Sequence, residues 1–286
     1  MAIDILSELQ NNLDGRARDL DPEIFILRGV WKCQYVLQLT AEESIFNLNY
    51  ILSQTVGQGC CHFESGRDEP ILDESFIGKN IQNIPMTNNA FRISALDAVY
   101  SSLNGSPDVS HKISGSNIQK AHKRAEIVCS EALRILRKKR PKHGARAGVL
   151  NVGVVGSFLS ILSKRSELNV MASDLYKGVV GKTIHGIQVE NGTKVGSSVK
   201  GDRTLELVAD ADVAIVTGMT LANNTLGGIL STALENKTSL VVFAETGSNF
   251  AHEYCMMGVD AVVSEPFPFY LTGSGPVKIN VYRKND

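Results

Sequence analysis

Apolar residues recur along this chain in two rhythms, one of three and four residues and one of short unbroken runs. In MAIDILSELQNNLDG, Ile3, Leu6, Leu9 and Leu13 stand at helical spacing with acidic residues between them, which predicts an amphipathic helix. EIFILRG and WKCQYVLQLT are rich in β-branched and aromatic residues and meet at Gly29, which predicts the two strands of a hairpin. The run from Ala41 to Ser53 fits both periods and stays open. In NAFRISALDAVYSSLNG, Phe91, Ala95, Leu96, Val99, Tyr100 and Leu103 return to helical spacing, and Gly105 and Pro107 stop the helix. GSPDVSHKISGS, residues 105 to 116, has the composition of a connection. A second helix follows from Asn117 to Lys139, with Ile118, Ala121, Ala125, Val128, Ala132, Leu133 and Leu136 inward, and it ends in RKKRPKHGAR. That basic run offsets the negative end of the helix macrodipole as a solvated terminus; the sharper reading is a contact for an anionic partner.

From Gly148 onward the rhythm changes. GVLNVGVVG, ELNVMASD, DVAIVTG, TSLVVFAE and VDAVVSE are short apolar runs, and SFLSILSKR, DRTLELVADA, NTLGGILSTALEN and SNFAHEYCMMG between them carry helical spacing. Strands apolar on both faces and separated by short helices are what a covered parallel sheet requires. The fold class expected is therefore α/β: a smaller α+β unit over residues 1–112 and a Rossmann-like parallel-sheet domain over 113–286, the latter holding the ligand.

Composition narrows the function. The 286 residues carry 29 Lys and Arg against 30 Asp and Glu, a formal net charge of −1, which excludes a polyanion binder with a basic excess and leaves no expectation of nucleic acid. No apolar run nears the roughly 20 residues of a membrane span, and the N-terminal segment does not read as a signal peptide. A cytoplasmic protein with a small-molecule partner is expected, with homo-oligomerisation left open. Cys33, Cys60, Cys61, Cys129 and Cys255 are odd in number and contain no C-x-x-C pair, so they read as reduced thiols.

In open parallel sheets ligands collect beyond the carboxyl ends of the strands. The first such end reads Gly153-Val154-Val155-Gly156-Ser157, a turn that either closes tightly or brings backbone and hydroxyl to a ligand. It falls short of G-x-G-x-x-G. Asp174, 18 residues after Gly156, stands where a nucleotide or S-adenosylmethionine site would place a carboxylate on ribose, and equally where a cap or turn residue would stand. The third end, TGMTLANNTLGGIL, crowds Thr217, Thr220, Asn223, Asn224 and Thr225 before a helix whose first turn contains Gly227 and Gly228. With Asn224 as N-cap, the remaining polar groups and the glycines favour a ligand site over simple packing, since each helical Gly costs about 1 kcal/mol relative to Ala. The fourth, AETGSNF, places Glu245, Thr246, Gly247 and Ser248 before a helix carrying His252 and Cys255, three apart. That pair has the spacing of soft-metal ligands, against the ordinary reading of Cys as a packing residue. Cys60-Cys61-His62, in a Gly-flanked stretch, carries the same two readings. No G-x-S-x-G, H-E-x-x-H or Walker lysine occurs, so no catalytic residue is singled out.

GMTLANNTLGGIL resembles the G-S-T-L-x-N-x-T-L signature of a Rossmann-like family named for heavy-metal chelation. ETGSNFAHEYCMMGVDAVVSEP is similar to that family's Gly-Pro-Ser-Thr-Pro turn, helix and Gly-Val-Asp strand, and NNAFRISALDAVYSSLN to the Ala-x-x-Asn-Ala helix of its N-terminal companion, whose fold is akin to the enolase N-terminal domain. Met219 replaces the usual Ser, Asp97 the usual Asn, and AETGSNF lacks the prolines of the turn. The resemblance implies a ligand site at Gly218, Thr220, Leu221, Asn223, Thr225 and Leu226, with Gly247 and Ser248, and a part in handling a metal ion, an organic chelator or its precursor. The rival expectation is an enzyme using S-adenosylmethionine or a nucleotide.

Overall fold

The first helix, α1 (Ile5–Arg16), begins where the Asp4 carboxylate accepts the Ser7 N–H at 3.1 Å, and it turns Ile5, Leu6, Leu9 and Leu13 into the core. The structure, a computed structural model, describes residues 3–37, 46–64, 66, 69–192, 203–267, 269 and 275–284. Pro22 opens a 3-10 turn over Pro22–Phe25, with the Asp21 side chain accepting from Glu23, so EIFILRG continues only as an isolated bridge from Ile26 to Asn80. The expected hairpin at Gly29 therefore does not form. Instead β1 (Gly29–Leu37), β2 (Phe46–Gln54) and β3 (Gln58–Phe63) make a three-stranded antiparallel sheet. Of the run left open in the sequence, residues 41–45 lie outside the described residues and the rest enters β2. Helix α2 (Asn89–Tyr100) lies against this sheet so closely that a Cβ on Gly59 would stand 2.1 Å from the Ser94 carbonyl oxygen.

The stretch expected to be a plain connection contains β4 (Val109–Ile113), after which Ser116 and Gln119 form a capping box at the start of α3 (Asn117–Leu136). The rest of the chain adds β5 (Ala147–Val152), α4 (Gly156–Leu162), β6 (Leu168–Asp174), β7 (Thr183–Ile184), β8 (Ile187–Asn191), α5 (Arg203–Asp210), β9 (Val213–Thr217), α6 (Met219–Ala222), α7 (Leu226–Asn236), β10 (Ser239–Ala244), α8 (Ala251–Met256), β11 (Ala261–Ser264) and β12 (Val277–Arg283). Their strands form one nine-stranded sheet in the order β4-β12-β11-β10-β9-β5-β6-β8-β7. From β11 to β8 the neighbours run parallel; β12, β4 and β7 each pair antiparallel at the margins. The chain leaves β5 toward β6 on one side and returns to β9 on the other, which is the reversal that defines a Rossmann-like sheet.

Helices α3 and α4 cover one face around Val128, Ala132, Phe158 and Leu162, while α5, α7 and α8 cover the other. The second layer is continuous with α1, α2 and the three-stranded sheet, so Ile51, Phe91 and Leu96 share a core with Leu226, Leu240 and Val262. Along α3 the buried stripe is Lys120, Arg124, Val128, Ala132 and Ile135, whereas Ile118, expected inward, is exposed. Two cations of the basic run act as caps: Lys139 Nζ donates to the Lys237 carbonyl at 2.9 Å and Lys142 Nζ to the Ala209 carbonyl at 3.0 Å. Among the described residues no helix is long and apolar enough to cross a membrane.

Candidate functional site

At the end of β5, Gly153 adopts φ +72°, and a Cβ there would lie 2.1 Å from Thr217 Oγ1. The turn after it is knitted into the protein. Gly153 N–H donates to the Ser173 carbonyl at 3.0 Å, Val154 N–H to Asp174 Oδ2 at 2.6 Å and Val155 N–H to Asn151 Oδ1 at 3.0 Å. Asp174 Oδ1 accepts from Tyr176 N–H at 2.8 Å. Three successive donors that a phosphate loop would aim at its ligand are thus used internally, and Asp174 holds two turns together. Burial raises the Asp174 carboxyl above its ordinary value, against the backbone donors that lower it. Gly156 opens onto space, with nothing within 4 Å of an added Cβ, and Ser157 follows it half-buried in α4.

The polar residues of TGMTLANNTLGGIL bond mainly to one another. Thr220 Oγ1 donates to the Thr217 carbonyl at 2.7 Å, Thr225 Oγ1 to Asn223 Oδ1 at 2.6 Å and Thr225 N–H to the Thr220 carbonyl at 2.8 Å. Asn224 sits at φ +60° between α6 and α7, so Thr225 and not Asn224 occupies the N-cap position. Gly218 passes the 246 backbone so closely that a Cβ would lie 2.6 Å from the Thr246 carbonyl oxygen. Leu221 is buried beside Gly247, itself at φ +65°, and the Ser248 carbonyl accepts from Ser264 Oγ at 2.8 Å. On α8, Cys255 is buried in the core with its thiol pushed up to about 12 by burial, while His252 is exposed. Cys60 and Cys61 lie in strand β3 and alternate between its faces, Cys61 toward α2 and Cys60 away from it. Among the described residues no three His, Cys, Asp or Glu side chains converge as metal ligands.

The densest buried chemistry stands two strands farther along. Ala244 and Ser264 are paired across β10 and β11, so the next residues, Glu245 and Glu265, emerge side by side beyond the strand ends. Arg124 reaches them from α3: its Nη1 donates to Glu245 Oε1 at 2.6 Å and to Glu265 Oε2 at 3.3 Å, with the guanidinium 5.0 Å from the Phe243 ring centroid. Lys120, one turn earlier, is fully buried and donates to the Gly275 carbonyl at 3.3 Å. From the small sheet, Tyr50 OH donates to Glu245 Oε2 at 3.4 Å, and the His62 ring stands edge-on to Tyr50 at 5.6 Å. Phe269 extends this aromatic wall at 5.2 Å from Tyr50, and Phe267 lies 5.3 Å beyond Phe269. Burial pushes Glu245 up to about 7, opposed by Arg124 and reinforced by Glu265; burial alone takes His62 down to about 4, so it is neutral at physiological pH.

The same seam is closed on its other side by Asp97 of α2. Its Oδ2 accepts from Cys60 N–H and its Oδ1 from Asn249 N–H, both at 2.8 Å, and Thr246 Oγ1 and the Cys60 carbonyl bind His62 N–H and Gly247 N–H at 2.9 and 3.2 Å. The outer edge of β3 is thereby satisfied by the loop after β10, which fixes the small sheet over the strand ends. A hollow of about 300 Å³ lies at the opposite edge of the large sheet, lined by His143, Arg146, Asn169, Asp210 and Asp212. Its Asp212 is occupied by Gly148 N–H at 2.7 Å and Lys142 N–H at 2.8 Å, so we place the candidate site at the seam and not in that hollow.

Sequence reading named Glu245 and His62 without joining them, and it passed over Tyr50, Arg124 and Glu265. One signal is present in the sequence: a Glu closes each of the strand runs LVVFAE and AVVSE.

Fold and seam define an α/β protein with a Rossmann-like sheet and a small α+β unit docked over its strand ends. Two solved structures share this fold over nearly the whole chain. One is a protein of unknown function from the DUF364 family of Pyrococcus horikoshii, with TM-score 0.53, 11% identity, and 98% of this chain and 99% of that chain covered. The other, from the DUF364 family of Desulfitobacterium hafniense and also of unknown function, has TM-score 0.53, 10% identity, and 96% and 99% covered. No family model matches the chain, and no curated protein matches it in sequence.

Proposed function

We propose that this protein binds a small molecule at the seam between the three-stranded sheet and the ends of β10 and β11, with Glu245, Tyr50 and His62 as the contacting groups and Arg124 and Glu265 holding Glu245 in place. The observation that carries the reading is the buried Glu245–Arg124–Glu265 cluster. Burying three charged groups costs several kcal/mol per ion before pairing returns it, and a well-packed apolar set is often as stable. Charged groups gathered under burial at the ends of two adjacent strands are the arrangement a ligand site asks for. The family resemblance directs the reading toward an organic chelator or its precursor, because the polar groups gathered here suit hydrogen bonding to an organic molecule. Native mass spectrometry of freshly purified protein tests it: a retained small molecule is expected, lost from a Tyr50→Phe, His62→Ala double variant and kept by Gly156→Ala. A molecule retained by the double variant and lost from Gly156→Ala would move the site to the end of β5.

A further inference from the structure

The seam offers its ligand an acceptor, and its cation is turned inward. Arg124 places one nitrogen on two carboxylates and sets its guanidinium carbon over the Phe243 ring, so its charge is directed at the protein. His62 is neutral. Of the charged side chains in the cluster Glu245 is the most accessible, 19% exposed against 8% for Arg124 and 0% for Glu265. Its Oε1 is held by Arg124, whereas among the described residues Oε2 meets only the Tyr50 hydroxyl, at 3.4 Å, well beyond the 2.7–2.8 Å of a good O–H···O bond. The Tyr50 that reaches this oxygen packs against the His62 and Phe269 rings, and Phe267 packs in turn on Phe269.

We infer that the ligand presents a cationic or paired N–H group on a flat ring, its donors on Glu245 Oε2 and its plane along the Tyr50 wall. This deepens the seam reading above and rests on it. The chemistry is that of an amidinium or aminoheterocycle: charge-assisted N–H···O bonds satisfy the under-used carboxylate oxygen, and aromatic faces favour a cation. An anionic ligand would be opposed by the Glu245 carboxylate with Glu265 buried behind it, and among the described residues of the cluster no cation is turned outward to offset them. Binding also requires Glu245 ionised, and the titratable and charged groups around it are Arg124 from α3, Tyr50 from β2, Cys60 from β3 and Glu265 after β11, with Lys120 one turn from Arg124 and His62 against Tyr50. Affinity for such a ligand therefore rises with pH through about 7.

Benzamidine and benzoate form a matched pair of probes, alike in shape and opposite in charge. Calorimetric titration of the full chain is expected to detect benzamidine and not benzoate, with benzamidine about tenfold weaker at pH 6 than at pH 8 and at least tenfold weaker in Glu245→Gln. The pH comparison needs no variant and stands if Glu245→Gln fails to fold. Benzoate binding that is lost in Tyr50→Phe, His62→Ala would keep the seam and overturn the ligand class. Benzamidine binding that ignores pH, or no binding of either probe, would overturn this inference, while the retained molecule sought by mass spectrometry judges the seam separately.

Discussion

Two backbone N–H groups, those of Cys60 and Asn249, converge on the Asp97 carboxylate, one on each oxygen. An Asn at this position would turn its NH₂ toward one of them, so two donors on two oxygens call for the carboxylate of Asp. Burial pushes Asp97 up to about 7 from an ordinary 3.8. The folded chain thus keeps a proton that the unfolded chain has released, and the stability this contributes is present at low pH and lost as pH rises through about 7. Glu245 acts with the same sign. His62 has the opposite sign, since its folded value is depressed from 6.5 to about 4, but its contribution is already complete above pH 6.5. The melting temperature is therefore expected to fall between pH 6.5 and 8, with the slope roughly halved in Asp97→Asn and the variant less stable throughout; a slope that survives the substitution would show that Asp97 is already ionised. Nothing in local sequence marks Asp97, because the two donors come from residues 37 and 152 positions away.

At the level of elements, the stretch from Thr217 to Leu230 is a strand end, a four-residue helix, a left-handed Asn224 and a second helix. Its polar residues make the two turns. Gly227 serves the N-terminal segment: a Cβ there would lie 1.8 Å from the Ile3 carbonyl oxygen, while Ile3 N–H donates to Ser231 Oγ at 3.2 Å. Gly227→Ala is expected to cost about 1–3 kcal/mol by chemical denaturation, although it improves helix propensity, because the N-terminal segment must move. A gain in stability would mean that Ile3 does not cross this helix tightly. The alternating pattern made β5, β6, β9, β10 and β11 legible, because a strand covered on both faces must be apolar throughout. It could not reveal β4, whose Val109–Ile113 alternates in burial at the sheet edge and reads as a connection, nor the true rotation of α3, whose inner stripe carries Lys120 and Arg124.

For the whole molecule, the small unit and the large sheet share one core through α1 and α2, and Tyr100 OH donates to the Leu9 carbonyl at 2.9 Å within it. Asn12 and Arg16 of α1 reach Glu253 of α8 across the same layer. Scanning calorimetry is expected to record a single transition with equal calorimetric and van't Hoff enthalpies, since neither half buries its apolar face alone. Two resolved transitions would mean that the halves are independent and that the seam opens without unfolding.

By itself the sequence determined the class of fold and the order of most strands and helices. These follow from periodicity, and periodicity is local. Tertiary structure decided how the residues at the strand ends are used. It used the polar groups after β5 and β9 to build turns, and it brought Tyr50, Arg124, Glu245 and Glu265 together from four separate stretches of chain. A buried charge is tolerated only where its partners meet it, and no linear pattern records a meeting made by folding.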